Sequence, residues 1–197
     1  MSWIAVELYK HGMVKLGDFK LSSGLFSPFY IDMRKLYSYP DLAKRIVQEL
    51  VSRVPLSDVD VLAGVESAGI PLAAYISCIT NKPMAYVRKE KKNHGVGLAV
   101  EGLVTGRRVA VVDDVVTTGS SIAKAVQHLV EAGAMPVKAV VIVDRGQGAK
   151  KLLRQYGVEL HALVTARWLF RELHSEGLIT REEYARIVEY LEKFGEE

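Results

Sequence analysis

Short, mostly apolar runs alternate along this chain with longer stretches in which apolar residues recur every three or four positions. Short apolar runs rich in β-branched residues are typical of strands buried on both faces of a parallel sheet. The five runs are Val59–Val65, Met84–Val87, Val109–Val112, Val137–Val143 and Leu160–Val164. Because stretches with helical spacing lie between them, the pattern predicts an α/β fold whose central parallel sheet is flanked by helices.

Residues that start and stop helices mark the ends of the helical stretches. Pro40 opens one predicted helix and Gly133 ends another. Thr180 and Glu183 form a capping box before an apolar stripe, which predicts a last helix that docks on the rest of the protein. The predicted helices are Trp3–His11, Pro40–Val51, Ile70–Ile79, Ile122–Ala132 and a segment from Thr180 to Phe194.

Composition changes this picture little. The 197 residues suit one domain, and 49% apolar with 25% charged residues is ordinary for a soluble globular protein. No signal peptide is visible, no apolar run approaches bilayer length, and none of the His residues sits in a metal-ligand pattern. The single Cys78 lies in an apolar segment, so we expect it in the core of a cytoplasmic protein.

The formal charge of +3 is concentrated in one loop. Four cations, Arg88, Lys89, Lys91 and Lys92, are set there against Glu90, and acids and bases balance in the rest of the chain. A nucleic-acid-binding protein more often spreads basic residues along a face or a helix. The compact cluster therefore favours a small polyanion as ligand, although a solvated charged face is the alternative.

The segment after Val109–Val112 has the composition of a phosphate site. Asp113 and Asp114 follow the predicted strand, and Thr117–Ser121 leads into the next helix. A helix amino terminus offers free N–H groups and positive potential to a phosphate. The acids would repel a bare phosphate, so they suit sugar hydroxyls, and the segment as a whole suits a ribose phosphate. The alternative is a plain strand-to-helix turn in which the Asp and Thr side chains act only as caps.

The stretch from Val109 to Ser121 resembles the thirteen-residue signature of the type I phosphoribosyltransferases, which use phosphoribosyl pyrophosphate (PRPP). The resemblance implies a Rossmann-like fold, with the two acids on the ribose hydroxyls and the loop on the 5′-phosphate. The implied PRPP-binding residues here are Asp113, Asp114, Val115, Val116, Thr117, Thr118, Gly119, Ser120 and Ser121.

The charged segment 88–97 is similar to the catalytic loop of orotate phosphoribosyltransferases. In that family the loop closes over the site of the neighbouring subunit, which implies a homodimer. The resemblance assigns Arg88, Lys89, Lys92 and His94 to the pyrophosphate of PRPP. It makes Lys92 the principal catalytic group, beside the acid pair.

Three further segments extend the resemblance. The predicted turn Glu66, Ser67, Ala68 and Gly69 is similar to the family's pyrophosphate loop, although some relatives carry Lys at the position of Ala68. Arg145, after a predicted strand, matches the arginine that contacts orotate; on position alone a structural salt bridge, for example with Asp144, is the alternative. The other implied orotate-binding residues are Thr117, Tyr30, Ile31 and Lys20.

The segment Phe19–Arg34 is predicted to form two short strands around residues 22–24, the second from Phe29 to Met33, and resembles the family's amino-terminal hood. Most relatives carry Lys where this chain has Ser22, and Lys20 could take that role because residues two apart on a strand share a face. The whole chain, 1–197, is expected to form one domain, with its hood built from about residues 1–36 and the carboxyl-terminal segment.

The resemblance implies an orotate phosphoribosyltransferase that uses PRPP, orotate and Mg²⁺, the metal being held mainly by PRPP. It implies no nucleic-acid partner and no membrane. Two alternatives stay open: a phosphoribosyltransferase for a purine or uracil, and a PRPP-sensing regulator that kept the fold.

Overall fold

The computed structural model describes residues 1–20, 26–89 and 99–195. The helices are α1 Ser2–Lys10, α2 Pro40–Arg53, α3 Gly69–Thr80, α4 Ser120–Glu131, α5 Ala149–Arg154, α6 Ala166–Ser175 and α7 Arg181–Phe194, with a 3₁₀ helix at Met33–Ser38. The strands are β1 Val14–Lys20, β2 Phe26–Ile31, β3 Val61–Val65, β4 Met84–Val87, β5 Val100–Glu101, β6 Arg108–Val116, β7 Met135–Asp144 and β8 Glu159–Thr165. The α/β class is confirmed; α5 and α6 were not predicted.

The central sheet has the strand order β5-β4-β3-β6-β7-β8. Strands β3, β4, β6, β7 and β8 are parallel, as expected. The expectation of a wholly parallel sheet is wrong at one edge, where Val100 and Glu101 of β5 pair antiparallel with Val87 and Tyr86. β5 is the next strand after β4 in the chain and pairs beside it, and consecutive strands that pair in this way are commonly antiparallel.

Strand β6 is longer than its apolar run predicts. Its pairing with β7 continues to Val116, which lies opposite Asp144. The expectation that Asp113 and Asp114 follow the strand is therefore wrong, because both lie within it. The neighbouring strand supplies backbone partners this far along, so polar side chains can occupy strand positions at the carboxyl edge of the sheet.

Two hydrophobic cores lie on opposite faces of the sheet. Val109 and Val111 of β6 pack with α4 and α5, whereas Ala110 and Val112 pack with the hood and the remaining helices. Successive residues of a strand point to opposite faces, so an unbroken apolar run can serve both cores. The carboxyl edge of β6 consequently lies between two packed layers.

The hood contains a separate two-stranded sheet of β1 and β2. The predicted second strand, Phe29–Met33, is displaced: the observed strand is Phe26–Ile31 and includes Pro28. Proline is tolerated because the pairing register shifts between Leu16 and Phe19, at the place where Pro28 lies. The Phe29 ring packs 4.6 Å from that of Phe170, which joins the hood to α6.

The capping box at the start of α7 is confirmed, with both reciprocal hydrogen bonds between Thr180 and Glu183 present. The expected burial of Cys78 is wrong: its side chain is exposed. On α3 the buried positions include Leu72 and Ile76, and Cys78 lies on the opposite side of the helix. Among the described helices, none has both the length and the hydropathy needed to cross a bilayer.

Candidate functional site

The acid pair lies at the carboxyl end of the central strand. An Asp113 carboxylate oxygen accepts a hydrogen bond from the amide of Asp114 at 3.0 Å, and an Asp114 oxygen accepts one from the amide of Val115 at 2.7 Å. Burial, reinforced by the charge of Asp114, raises the pKa of Asp113 to about 8. Burial also raises the pKa of Asp114. The carboxyl oxygens of the pair can accept hydrogen bonds from the hydroxyls of a sugar.

The loop after β6 turns sharply into α4. Gly119 has a φ of +85°, and a Cβ at this position would lie 3.1 Å from Cα of Ala149, so glycine suits both the turn and the close approach. The hydroxyl oxygens of Thr118 and Ser120 lie 2.9 Å apart at the start of the helix. This loop thus brings hydroxyls and the free N–H groups of α4 together at one point, the arrangement that binds a phosphate.

A cavity of about 600 Å³ opens beside the acid pair. Its lining includes these residues that the sequence singled out: Tyr30, Ile31, Glu66, Ser67, Ala68, Arg88, Lys89, Asp113, Asp114, Val115 and Ser121. The described residues Lys20, Gly69, Val116, Thr117, Thr118, Gly119, Ser120 and Arg145 are not part of this lining. Lys92 and His94 lie outside the described residues. The acid pair, the turn after β3, the hood and the start of segment 88–97 therefore all lie around one cavity.

One wall of the cavity includes three residues that were not predicted from the sequence. Lys124, Ala125 and His128 of α4 line this wall beside Ser121, which was predicted. Helical spacing contained the signal, because residues three, four and seven positions after Ser121 share its face. Lys124 adds a cation to the cavity beside the loop Thr117–Ser121.

Arg34 is a second group that was not predicted. Its guanidinium binds the Asp32 carboxylate through two hydrogen bonds of 2.7 and 3.1 Å, and it donates to the Tyr30 hydroxyl at 3.3 Å. The Arg34 hydrogen bond lowers the pKa of Asp32. Asp32 and Arg34 both line the cavity, so this pair fixes the hood beside it.

Glu66 has a clear structural role. Its carboxylate accepts a hydrogen bond from the backbone amide of Lys89 at 2.9 Å, and its own amide donates to the carbonyl of Val87, also at 2.9 Å. Arg88, between these two residues, lies 3.7 Å from the carboxylate of Glu101. The turn after β3 and the start of segment 88–97 are therefore joined directly.

The helix that follows this turn begins against the central strand. A Cβ added to Gly69 would lie 2.2 Å from the carbonyl oxygen of Val112 and 3.1 Å from Cα of Asp113. Gly64 makes a similar close approach, because its added Cβ would lie 2.7 Å from Cα of Ile70. Glycine at these positions lets the turn and the acid pair share one site.

Gly69→Ala is expected to remove most activity and to lower the melting temperature by roughly 5 °C or more, because α3 must move away from β6. Gly157→Ala is the control: no atom lies within 4 Å of its added Cβ, and it bears only the cost of a positive φ, about 1 kcal/mol. Calorimetry and an activity assay check both variants. Equal melting temperatures for the two would show that the contact at Gly69 can relax at little cost.

Arg145 lies behind the hood rather than in the cavity lining. Only 7% of the residue is exposed, its guanidinium lies 4.6 Å from the centre of the Phe29 ring, and it donates to the Ser27 hydroxyl at 3.3 Å. Burial lowers the pKa of Arg145. The carboxylate of Asp144 instead accepts from the amide of Gly146 at 2.8 Å.

Lys20 ends β1 and pairs with Phe26 across the hairpin.

The described residues contain no cluster of three or more His, Cys, Asp or Glu side chains able to hold a metal ion. Asp113 and Asp114 provide hard oxygen ligands of the kind that Mg²⁺ prefers, but they are only two residues. A magnesium ion at this site therefore needs most of its ligands from a substrate.

The chain is similar to known proteins of one family. Residues 39–159 match the family model described as the phosphoribosyl transferase domain. The chain is 42% identical to the orotate phosphoribosyltransferase of Staphylothermus marinus over 190 residues, which cover 96% of this chain and 94% of that protein.

Two solved structures are also similar. The crystal structure of orotate phosphoribosyltransferase from Aeropyrum pernix has a TM-score of 0.79 and 39% identity, covering 90% of this chain and 99% of that one. The structure of Leishmania donovani UMP synthase has a TM-score of 0.89 and 33% identity. That match covers 98% of this chain but spans 42% of the UMP synthase chain.

Proposed function

This chain belongs to the orotate phosphoribosyltransferase family, and on that basis we propose that it transfers the ribose 5-phosphate group of PRPP to N1 of orotate. The products are orotidine 5′-monophosphate and pyrophosphate, in the synthesis of pyrimidine nucleotides. The observation that carries the proposal is the acid pair of β6, which lines one cavity together with the turn residues Glu66, Ser67 and Ala68 and with Ser121 at the start of α4.

Each part of PRPP has a matching part of the site. The loop Thr117–Ser121 binds the 5′-phosphate through hydroxyls and the N–H groups of α4. Asp113 and Asp114 accept from the ribose hydroxyls, which fixes the sugar over the edge of the sheet. The turn Glu66–Gly69 binds the pyrophosphate through backbone donors, with the cations of segment 88–97 above it.

The reaction exchanges one bond at C1 of the ribose for another. The bond from C1 to the pyrophosphate oxygen breaks as N1 of orotate bonds to C1, and the departing oxygen keeps the electron pair. The ribose gains positive character on the way, so the main demand on the protein is to stabilise the negative charge of the leaving pyrophosphate. Arg88, Lys89, Lys92 and His94 supply that stabilisation in this proposal.

Mg²⁺ fits this site as a companion of PRPP. When bound, the ion neutralises phosphate charge and orients the substrate, with its ligands mainly the oxygens of PRPP and with Asp113 and Asp114 nearby. The chain's own residues then position the ribose and receive the leaving group.

The base is expected to lie against the hood. Tyr30 and Ile31 line the cavity there and provide a surface on which a pyrimidine packs. Arg145 packs against Phe29 of the same strand, and its Nε atom has no hydrogen-bond partner among the described residues. Arg145, Lys20 and Thr117 complete the proposed set of orotate-binding residues.

The proposed homodimer is supported by the outer side of α3. Cys78 and Ile79 are exposed there, and the hydroxyls of Ser77 and Thr80 are already bonded to backbone carbonyls, so the surface is apolar. The helix begins at Gly69 and is about 18 Å long. A second copy seated on α3 would therefore lie beside the cavity, as a shared loop requires.

Ile79→Glu is expected to convert the dimer to monomers, because it places a charge in an apolar contact, and to lower activity with it. Val130→Glu is the control, since Val130 is 57% exposed on the outside of α4. Sedimentation velocity and turnover are measured for both variants. An Ile79→Glu protein that stays dimeric would place the interface elsewhere.

The proposed activity is tested by following the absorbance of orotate with the purified chain and Mg²⁺. A fall that occurs only when PRPP is present supports the proposal. Turnover of uracil or a purine but not of orotate would make the chain a different phosphoribosyltransferase. Tight binding of PRPP without turnover of any base would favour a PRPP-sensing regulator.

A further inference from the structure

Arg34 brings a positive charge to the hood side of the large cavity. It lines the cavity together with Tyr30 and Ile31, the residues on which the base is proposed to pack. The other Lys and Arg side chains of the described lining lie at the start of segment 88–97 and on α4. Within the part of the chain that the structure describes, Arg34 is therefore the cavity arginine that belongs to the same element as the proposed base surface.

A bidentate ion pair holds the guanidinium of Arg34 in one direction. Its Nε and Nη2 atoms donate to the two carboxylate oxygens of Asp32 at 2.7 and 3.1 Å, and Nη2 also donates to the Tyr30 hydroxyl at 3.3 Å. The Tyr30 ring lies on that of Phe19, with centroids 5.5 Å apart. Because a planar guanidinium in such a pair is fixed in both position and orientation, Arg34 and the Tyr30 ring are oriented before any ligand binds.

The ion pair leaves one end of the guanidinium without a partner. Arg34 carries N–H groups on three nitrogens, and its hydrogen bonds within residues 1–20, 26–89 and 99–195 use Nε and Nη2 but not Nη1. The side chain is 62% exposed, so a ligand in the cavity can reach these N–H groups. Such donors favour a carboxylate over a neutral carbonyl, because a hydrogen bond between two charged groups is shorter and stronger.

We propose that Arg34 is a specificity-determining residue: its Nη1 donors bind the carboxylate of orotate and so select an anionic pyrimidine over a neutral one. The inference rests on the proposed function. Uracil is the same ring without the carboxylate, so it offers no charged partner to this arginine. If the ion pair served only to fix the hood, Asp32 would matter as much as Arg34.

The test compares Arg34→Gln with Asp32→Asn. Arg34→Gln removes the charged donors, so KM for orotate should rise about tenfold or more while KM for PRPP stays within about twofold. Asp32→Asn breaks the ion pair but keeps the arginine, so KM for orotate should change by less than about threefold. Arg53→Gln is the matched control and should leave both KM values unchanged, because Arg53 pairs with Glu49 on α2 and neither residue is part of the described lining.

Three results would overturn the inference: an unchanged KM for orotate in Arg34→Gln, an equal rise of both KM values in that variant, or an equal rise of KM for orotate in Arg34→Gln and Asp32→Asn. If Arg34→Gln does not fold, Arg34→Lys replaces it, since lysine keeps the charge without the planar fork. KM for orotate should then rise about threefold or more, and an unchanged value would overturn the inference. In each case a wild-type protein that turns over orotate leaves the proposed function standing, whereas one without orotate turnover would overturn both.

Discussion

Replacing Lys92 with alanine is expected to reduce turnover by on the order of a hundredfold or more, the usual cost of removing one preorganised donor from a developing anion. The leaving pyrophosphate gains charge as its bond to the ribose breaks, and an ammonium group in a site closed to water stabilises that charge strongly. Lys92 lies outside the described residues, and its assignment rests on the similarity of segment 88–97 to the catalytic loop of the family. Steady-state kinetics with saturating PRPP and orotate give the measurement.

Lys91→Ala is the matched control, because it removes the same charge from the same segment at a position to which the family assigns no role. It should keep most of the turnover. Equal turnover of the Lys91→Ala and Lys92→Ala variants would show that Lys92 has no specific catalytic role. The loss of turnover would then reflect only the total charge of segment 88–97.

Mixing two inactive proteins tests whether the loop acts on the neighbouring subunit. Lys92→Ala chains are combined with chains that carry both Asp113→Asn and Asp114→Asn. If subunits exchange at random, up to about a quarter of all sites regain a complete set of residues. Heterodimers demonstrated by mass spectrometry but without recovered activity would argue that each subunit uses its own loop.

Asp113→Asn is expected to lower turnover on the order of a hundredfold while making the folded protein more stable at alkaline pH. The folded pKa of Asp113, about 8, lies above its value of about 3.9 in an unfolded chain. The folded state therefore binds more protons between about pH 4 and pH 8, and its stability falls as the pH rises through that window. Asparagine removes the buried charge and with it this part of the pH dependence.

Asp58→Asn is a control for which the expected change in stability has the opposite sign. Asp58 lies just before β3, at the amino-terminal edge of the sheet. Its carboxylate accepts a hydrogen bond from the buried ammonium of Lys138, which lowers the pKa of Asp58. That contribution to stability is present above the unfolded pKa and is lost as the pH falls, so Asp58→Asn should destabilise the protein at neutral pH. Urea unfolding of both variants at pH 5, 7 and 9 gives the comparison. An Asp113→Asn protein less stable than wild type at pH 9 would contradict the account of the acid pair.

Strand β6 and the loop and helix that follow it could be predicted from the sequence, because the residues that indicate them are adjacent in the chain. The apolar run of β6, the acid pair and the loop Thr117–Ser121 follow one another within thirteen residues, and the capping box of α7 lies within four. The carboxyl edge of the sheet was misjudged, since strand length depends on pairing with β7, which no single segment reveals.

Contacts between distant segments were out of reach of the sequence. The hydrogen bond from the amide of Lys89 to Glu66 and the one from the side-chain amide of Gln147 to the Tyr190 hydroxyl join residues far apart in the chain. The exposure of Cys78 was missed for a related reason: α3 is apolar around most of its surface, so composition does not identify the side that faces the core. The wall formed by Lys124 and His128 was accessible from helical spacing alone.

The alternation of side chains along β6 places the two acids on opposite faces of the sheet. Adjacent strand residues point to opposite faces, so Asp113 continues the series that packs under α4 and Asp114 continues the series that faces the hood. The surrounding charges agree with this division, because Lys89 acts on Asp113 and Asp32 acts on Asp114. In the proposed function, a ribose held by both acids would straddle the sheet edge, with the phosphates on one side and the base on the other. One residue inserted in β6 before Asp113 would exchange the faces to which the two acids point. The number of residues in this strand is therefore as important for the proposed site as the acids themselves.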